Sequence, residues 1–278
     1  MHTSDPAQMR VDRMSIPTPT TESAALVTGA SSGIGRAIAV ELATAGHNLV
    51  LVARRRDRLE ILADELRHRY GVQVDIGLCD LSDDADLDRL IDRLLTSGMH
   101  LNVLILCAGF GMVGPYLEHD EARLRIMLRT NIESTMSLAR ALMPAMAERR
   151  QGAVLLVSSM AGNQPSPSFA PYAATKAAIS SLGEALHHEL RSTGVTVSVL
   201  APAHVATEFA DVADATAQQD RQPAFMTATP EQCAKSAIRA LHSGKRKVTP
   251  LPQAVVLAWV ASHLPRPIWF RLCGLMMK

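Results

Sequence analysis

Apolar and polar positions alternate along the chain in two distinct patterns. Residues 24–28, 48–53, 72–79, 103–107, 152–158 and 195–200 form short, nearly uninterrupted apolar runs. Between them, residues 33–45, 57–70, 83–95, 120–149 and 171–192 carry apolar side chains at helical spacing. Short continuous runs predict strands buried on both faces, and their strict alternation with helices predicts βαβ units around a parallel sheet. A seventh strand is expected at 246–249. A β/α barrel would need further strands and usually lacks a glycine-rich first turn, so the pattern favours an α/β, doubly wound sheet of about seven strands with helices on both faces.

Three stretches fall outside this rhythm. Residues 1–22 are polar, contain Pro17 and Pro19, lack the apolar core of a secretory signal, and are expected to be a flexible leader. Residues 203–229 form an Ala- and Gln-rich connection longer than an ordinary βα loop, the kind of segment that becomes a lid or a binding loop. Residues 250–278 hold both tryptophans, Trp259 and Trp269, in two apolar pieces separated by Pro265-Arg266-Pro267. Neither piece reaches the ~18–20 apolar residues of a membrane span. The tail is therefore a core or subunit contact, a lid, or a helix lying on a membrane surface. The expected organisation is a leader, one domain over 23–249 and an apolar extension.

Charge and composition narrow the function. Lys plus Arg number 28 against 27 for Asp plus Glu, giving a net charge of +1, too balanced for a polyanion-binding surface. Aromatic residues make up only 4%, which also argues against nucleic acid as a partner. Cys79, Cys107, Cys233 and Cys273 form no C-x-x-C pair, and His188 lacks a second histidine at i+4, so no metal site is expected. Unpaired cysteines fit a reducing, cytoplasmic compartment.

The first strand leads into Thr28-Gly29-Ala30-Ser31-Ser32-Gly33-Ile34-Gly35 and then directly into a helix. In that setting Gly29 lets the chain turn, Gly33 lets the backbone approach a pyrophosphate, and Gly35 lets the helix pack closely on the sheet. The helix N-terminus offers unpaired N–H groups to phosphate oxygens. No lysine follows as in a nucleoside-triphosphate loop, so a dinucleotide is favoured. A carboxylate at the end of the second strand would select NAD, yet here Ala53 is followed by Arg54, Arg55 and Arg56. Cations oppose the dipole at a helix start, and Arg54 facing a ribose 2′-phosphate supplies the reason, so NADP(H) is expected over NAD(H).

Tyr172 and Lys176 stand at i and i+4 near the start of one helix. A free phenol is a weak acid–base catalyst at neutral pH, and an ammonium beside it is expected to lower its pKa. Ser159 lies just past a strand end, where its hydroxyl can hold a substrate oxygen, and Asn131 sits in the preceding long helix.

Together these residues resemble the short-chain dehydrogenase/reductase superfamily, over about residues 24–247. The resemblance implies a Rossmann-type fold and hydride transfer between a nicotinamide and a carbonyl or secondary alcohol. It assigns Tyr172 as proton donor, Ser159 as the group polarising the carbonyl, Lys176 as tuner of Tyr172 and ribose contact, and Asn131 as holder of a relay water. It places Gly29, Ser31, Ser32, Gly33, Ile34 and Gly35 on the cofactor phosphates, Asp80 and Leu81 at the adenine, and Ala108 and Gly109 along the cofactor. Val205 and Thr207 would lie at the nicotinamide. Cys107 stands where the family usually has a second Asn, and Ala203 where it usually has Gly. The resemblance also implies a homodimer or homotetramer through the helices at 120–149 and 171–192. Phe209, Phe225, Met226 and the apolar tail point to a hydrophobic ketone or aldehyde as substrate. The alternative is an NADP-binding redox sensor or scaffold without turnover.

Overall fold

The computed structural model describes residues 16–213 and 226–276. The leader up to residue 15 and residues 214–225 of the long connection, Phe225 among them, lie outside the described residues. Strands β1 (Ser23–Thr28), β2 (Asn48–Ala53), β3 (Val74–Leu78), β4 (His100–Leu106), β5 (Gly152–Val157) and β6 (Val195–Leu200) are the six expected apolar runs. Two short strands, β7 (His204–Val205) and β8 (Thr227–Ala228), pair with each other at the two ends of the long connection. The expected edge strand is β9 (Lys247–Val248), parallel to β6.

The main sheet is parallel throughout, with order β3-β2-β1-β4-β5-β6-β9. The order reverses between β1 and β4, which opens a crevice at their C-terminal ends, the place where doubly wound sheets bind ligands. Helices α1 (Gly33–Thr44), α2 (Arg56–Tyr70), α3 (Asp84–Thr96), α4 (Glu121–Leu128), α5 (Ser134–Glu148) and α6 (Ala170–Glu189) connect the first six strands. A one-turn helix, α7 (Phe209–Val212), follows β7, and α8 (Pro230–His242) precedes β9.

Alternate residues of each strand feed two cores. Ala25 and Val27 of β1 face Ile38, Leu42, Leu59, Ala234 and Leu241 of α1, α2 and α8. Ala24 and Leu26 face Leu90, Leu138, Leu142 and Ile179 of α3, α5 and α6. With both faces covered, every residue of β1, β2, β5 and β6 is buried, which explains runs without polar alternation.

The helix expected over 120–149 is not continuous. A π-helical turn over Arg129–Glu133 separates α4 from α5 and carries the buried Asn131. The apolar period continues on both sides, so the extra residue of such a turn leaves no mark in the pattern.

The tail forms α9 (Pro252–His263) and α10 (Arg266–Met276), broken at Pro265 as its sequence suggests. Trp269 donates its indole N–H to Pro165 O at 2.9 Å, tying α10 to the segment after β5. Val256 and Trp259 remain exposed, as do Ile268 and Phe270. Among the described residues no helix is long and apolar enough to cross a membrane.

Candidate active site

The crevice between β1 and β4 opens into a cleft of about 300 Å³. Gly29, Ser31, Ser32, Gly33, Ile34 and Gly35 form one wall, and Arg54, Arg55, Asp80 and Leu81 the next. Ala108, Gly109, Lys176, Thr207, Glu208 and Phe209 complete it.

Two glycines of the turn are required by contact. Gly29 has φ +69°, and a Cβ there would stand 3.0 Å from Ala108 Cα. A Cβ on Gly35 would stand 2.4 Å from Gly29 O, so α1 starts against the turn at backbone distance. Beneath the turn, Thr28 Oγ1 accepts hydrogen bonds from Cys107 N (2.9 Å) and Ala108 N (3.1 Å) and donates to Ile105 O (3.3 Å). That hydroxyl links β1 to β4, so Cys107 needs no polar side chain for the junction.

Arg54 and Arg55 both line the cleft but make different contacts. Arg54 is largely exposed and leans toward Asp80 at 3.7 Å. Burial pushes the Asp80 carboxyl up, but hydrogen bonds from Ser82 and the Arg54 charge outweigh it and hold the group below its ordinary value. Arg55 is the one engaged with the turn. It donates from Nε and Nη2 to Ser31 Oγ (3.2 and 2.9 Å) and from Nη2 to Ser32 Oγ (2.8 Å). Its Nη1 meets Glu208 Oε2 at 2.9 Å, and Arg58 Nη1 meets Glu208 Oε1 at 2.6 Å. Hydrogen bonds from Arg55 and Arg58 hold the Glu208 carboxyl below its ordinary value. Sequence reasoning missed Arg55 and Glu208. The only available signal was the run of three arginines, which does not say which one turns inward.

Deeper in the site, Tyr172 and Lys176 are buried on the first turns of α6, with Pro171 in its first turn. Ser159 follows β5, accepts from Ala161 N at 3.2 Å and donates to Pro202 O at 3.4 Å. Burial pushes the Tyr172 phenol up to about 12, opposed by a hydrogen bond with Ser159. Burial also holds Lys176 down to about 8. The expected lowering of the phenol by its ammonium neighbour is therefore not what the structure displays. Lys176 Nζ instead donates to Val157 O at 2.9 Å and stands 5.7 Å from the Tyr172 ring centroid, while desolvation acts on both groups.

Asn131 is fully buried, and its side chain is committed: Oδ1 accepts from Phe110 N (3.0 Å), while Nδ2 donates to Phe110 O (2.9 Å) and Thr175 Oγ1 (3.0 Å). Gly109 lies between it and Lys176, since a Cβ there would stand 2.9 Å from Asn131 Oδ1 and 3.2 Å from Lys176 Nζ. Around Tyr172 the wall is apolar. Phe169 and Phe209 rings lie 6.0 and 5.2 Å from its own, and Met112 and Met127 are buried in the same cluster. Thr207 packs on Gly33 and lines the cleft, whereas Val205 of β7 packs against the core.

The short chain dehydrogenase family matches residues 23–218. The very-long-chain 3-oxoacyl-CoA reductase of Anas platyrhynchos is 32% identical over 246 residues, covering 87% of this chain and 75% of that protein. A short-chain dehydrogenase from Sphingobium yanoikuyae, solved in complex with NADPH, superposes with a TM-score of 0.78 at 30% identity, over 92% of this chain and 96% of that one. The bulky-bulky ketone specific alcohol dehydrogenase from Comamonas testosteroni gives 0.75 at 27% identity, over 93% and 95%. The likeness thus extends from the glycine turn through the whole sheet, and the chain belongs to the short chain dehydrogenase family of oxidoreductases.

Proposed function

We propose that this protein transfers hydride between a nicotinamide cofactor, NADP(H) in preference to NAD(H), and a carbonyl or secondary alcohol, and that it works in the direction of reducing a hydrophobic ketone or aldehyde. The observation that carries the reading is Tyr172, buried beside Ser159, one helical turn from Lys176 and against the Phe209 ring, the last two of which line a cleft that also bears Arg54 and Arg55. The cleft suits a dinucleotide. Its turn glycines stand where side chains would collide, the N-terminus of α1 faces it, and Gly109 leaves room beside Lys176.

A bound dinucleotide supplies the hydride at its nicotinamide C4. In reduction, Tyr172 Oη delivers a proton to the substrate oxygen, and the Ser159 hydroxyl holds that oxygen by a hydrogen bond. Lys176 supplies a positive charge one helical turn away that favours a phenolate. With the Asn131 side chain committed, its part in a proton relay falls to its main-chain carbonyl, to which Thr135 Oγ1 also donates at 3.2 Å. Arg54 and Arg55 would suit a 2′-phosphate, Asp80 and Leu81 would border the adenine, and Thr207 would hold the carboxamide.

The aromatic and methionine wall around Tyr172 supports a hydrophobic substrate. Exposed Ile126, Leu128 and Met136 on α4, the π turn's flank and α5 support self-association through those helices. The exposed apolar side chains of α9 and α10 suit a lid, a subunit contact or a membrane surface. Free thiols at Cys79, Cys107 and Cys233 fit the cytoplasm.

NADPH oxidation measured across ketones of increasing alkyl length tests the reading. Efficiency should rise with chain length, and Tyr172→Phe should lower kcat by about 10²–10⁴ with NADPH affinity retained. Undiminished turnover in that variant would overturn the mechanism. A preference for small polar sugars would overturn the substrate class.

A further inference from the structure

We infer that Glu208 is a cofactor-selectivity residue: its carboxylate is the resident anion that a ribose 2′-phosphate has to displace from Arg55. This rests on the NADP(H) reading above and adds a residue that no part of that reading requires.

The argument starts from the Arg55 guanidinium. Nε and Nη2 are taken by the Ser31 and Ser32 hydroxyls, which fixes its plane against the glycine turn. The remaining terminal nitrogen, Nη1, points to Glu208 Oε2 at 2.9 Å. The second carboxylate oxygen is held by Arg58 Nη1 at 2.6 Å. One carboxylate thus bridges two guanidinium groups, one on the cleft wall and one on the outer face of α2.

A guanidinium presents a fork that matches a phosphate as well as a carboxylate. Here two of the three nitrogens hold serine hydroxyls, and the third already meets an anion that comes from Glu208, 153 residues away in the chain. A phosphate bearing about −1.5 to −2 charges cannot share Nη1 with that carboxylate without like-charge repulsion. Binding of a 2′-phosphate therefore requires Glu208 to withdraw onto Arg58 alone. A 2′-hydroxyl carries no charge and imposes no such exchange. Glu208 consequently weakens NADP(H) specifically, and narrows a preference that the arginines alone would make wider. It also joins cofactor choice to the catalytic end of the cleft, because the next residue, Phe209, lays its ring 5.2 Å from that of Tyr172.

Calorimetric titration of the full chain with NADPH, NADH and 2′,5′-ADP, for wild type, Glu208→Gln, Arg55→Gln and the double variant, tests the inference without reference to turnover. Glu208→Gln should tighten NADPH and 2′,5′-ADP by about fivefold, the upper range for a half-exposed ion pair, and should leave NADH within about twofold. The gain should vanish on the Arg55→Gln background. Glu208→Asp, one methylene shorter, should shift NADPH in the same direction, and unfolding midpoints confirm that each variant is folded. Unchanged NADPH affinity in Glu208→Gln, or an equal loss for both cofactors, would overturn the role of Glu208 and leave it a structural strap. Equal wild-type affinity for NADPH and NADH, with Arg55→Gln altering neither, would instead overturn the NADP(H) reading on which it rests.

Discussion

Replacing Gly35 by alanine probes the point where the cofactor turn and α1 meet. The added Cβ would lie 2.4 Å from Gly29 O, 2.8 Å from Gly29 C and 3.2 Å from Thr28 O. All three are backbone atoms, so no side chain can swing aside. The nearest contact must open by about 0.6 Å even to reach 3.0 Å, a separation that Cβ atoms essentially never undercut. Either α1 slides off the turn or Gly29 leaves its positive-φ geometry, and Gly29 is itself confined by Ala108 Cα. Forced displacement in a packed interior costs about 1–3 kcal/mol. For a chain of this size that corresponds to a fall of roughly 2–5 °C in Tm. The same displacement shifts the helix N-terminus that faces the cleft, so dinucleotide affinity should fall about tenfold or more, through lost alignment of N–H donors. Scanning calorimetry and titration calorimetry on the same preparation read the two effects. An unchanged Tm together with unchanged affinity would refute the claim that the turn is rigid at this contact.

Thr28→Val keeps the shape of a residue that is 2% exposed but removes the acceptor of two amide N–H groups, Cys107 and Ala108; urea unfolding should show a loss of about 1–3 kcal/mol, and an unaltered midpoint would mean other groups satisfy those amides. Lys176 is held down to about 8 from an ordinary 10.5, so its burial penalises folding below pH 8 and the penalty fades as pH rises toward 10.5. Tyr172, pushed up to about 12, works in the opposite direction only above pH 10. The stability of wild type relative to Lys176→Met should thus be level below pH 8 and improve between pH 8 and 10; a flat difference across that window in denaturant titrations would show that Lys176 carries no depressed pKa in the folded state.

The strands and most helices were legible because both faces of the sheet are covered, which leaves apolar runs such as Asn48–Ala53 with little to confuse them. The glycine turn was legible for a related reason: steric need at Gly29 and Gly35 restricts the residue type itself. The π turn at Arg129–Glu133 was hidden, since helical spacing persists on either side of one added residue. The choice between Arg54 and Arg55 was hidden too, because three identical side chains differ only in where the backbone aims them. Glu208 lay beyond reach for a further reason. Its significance depends on Arg55 and Arg58, 153 and 150 residues away, and nothing in its immediate neighbourhood marks it.

The Thr28 hydroxyl has a consequence for how this sheet can diverge. Because one side chain on β1 fastens the first amides beyond β4, the seam between the two halves of the sheet does not depend on what position 107 carries. That position borders both the cofactor cleft and Lys176. A site that touches the chemistry and packs on the core but carries none of the polar tie is open to drift among side chains of similar size. Variation at 107 can retune the polarity beneath the cofactor without unzipping β1 from β4, whereas the same freedom is closed at 28.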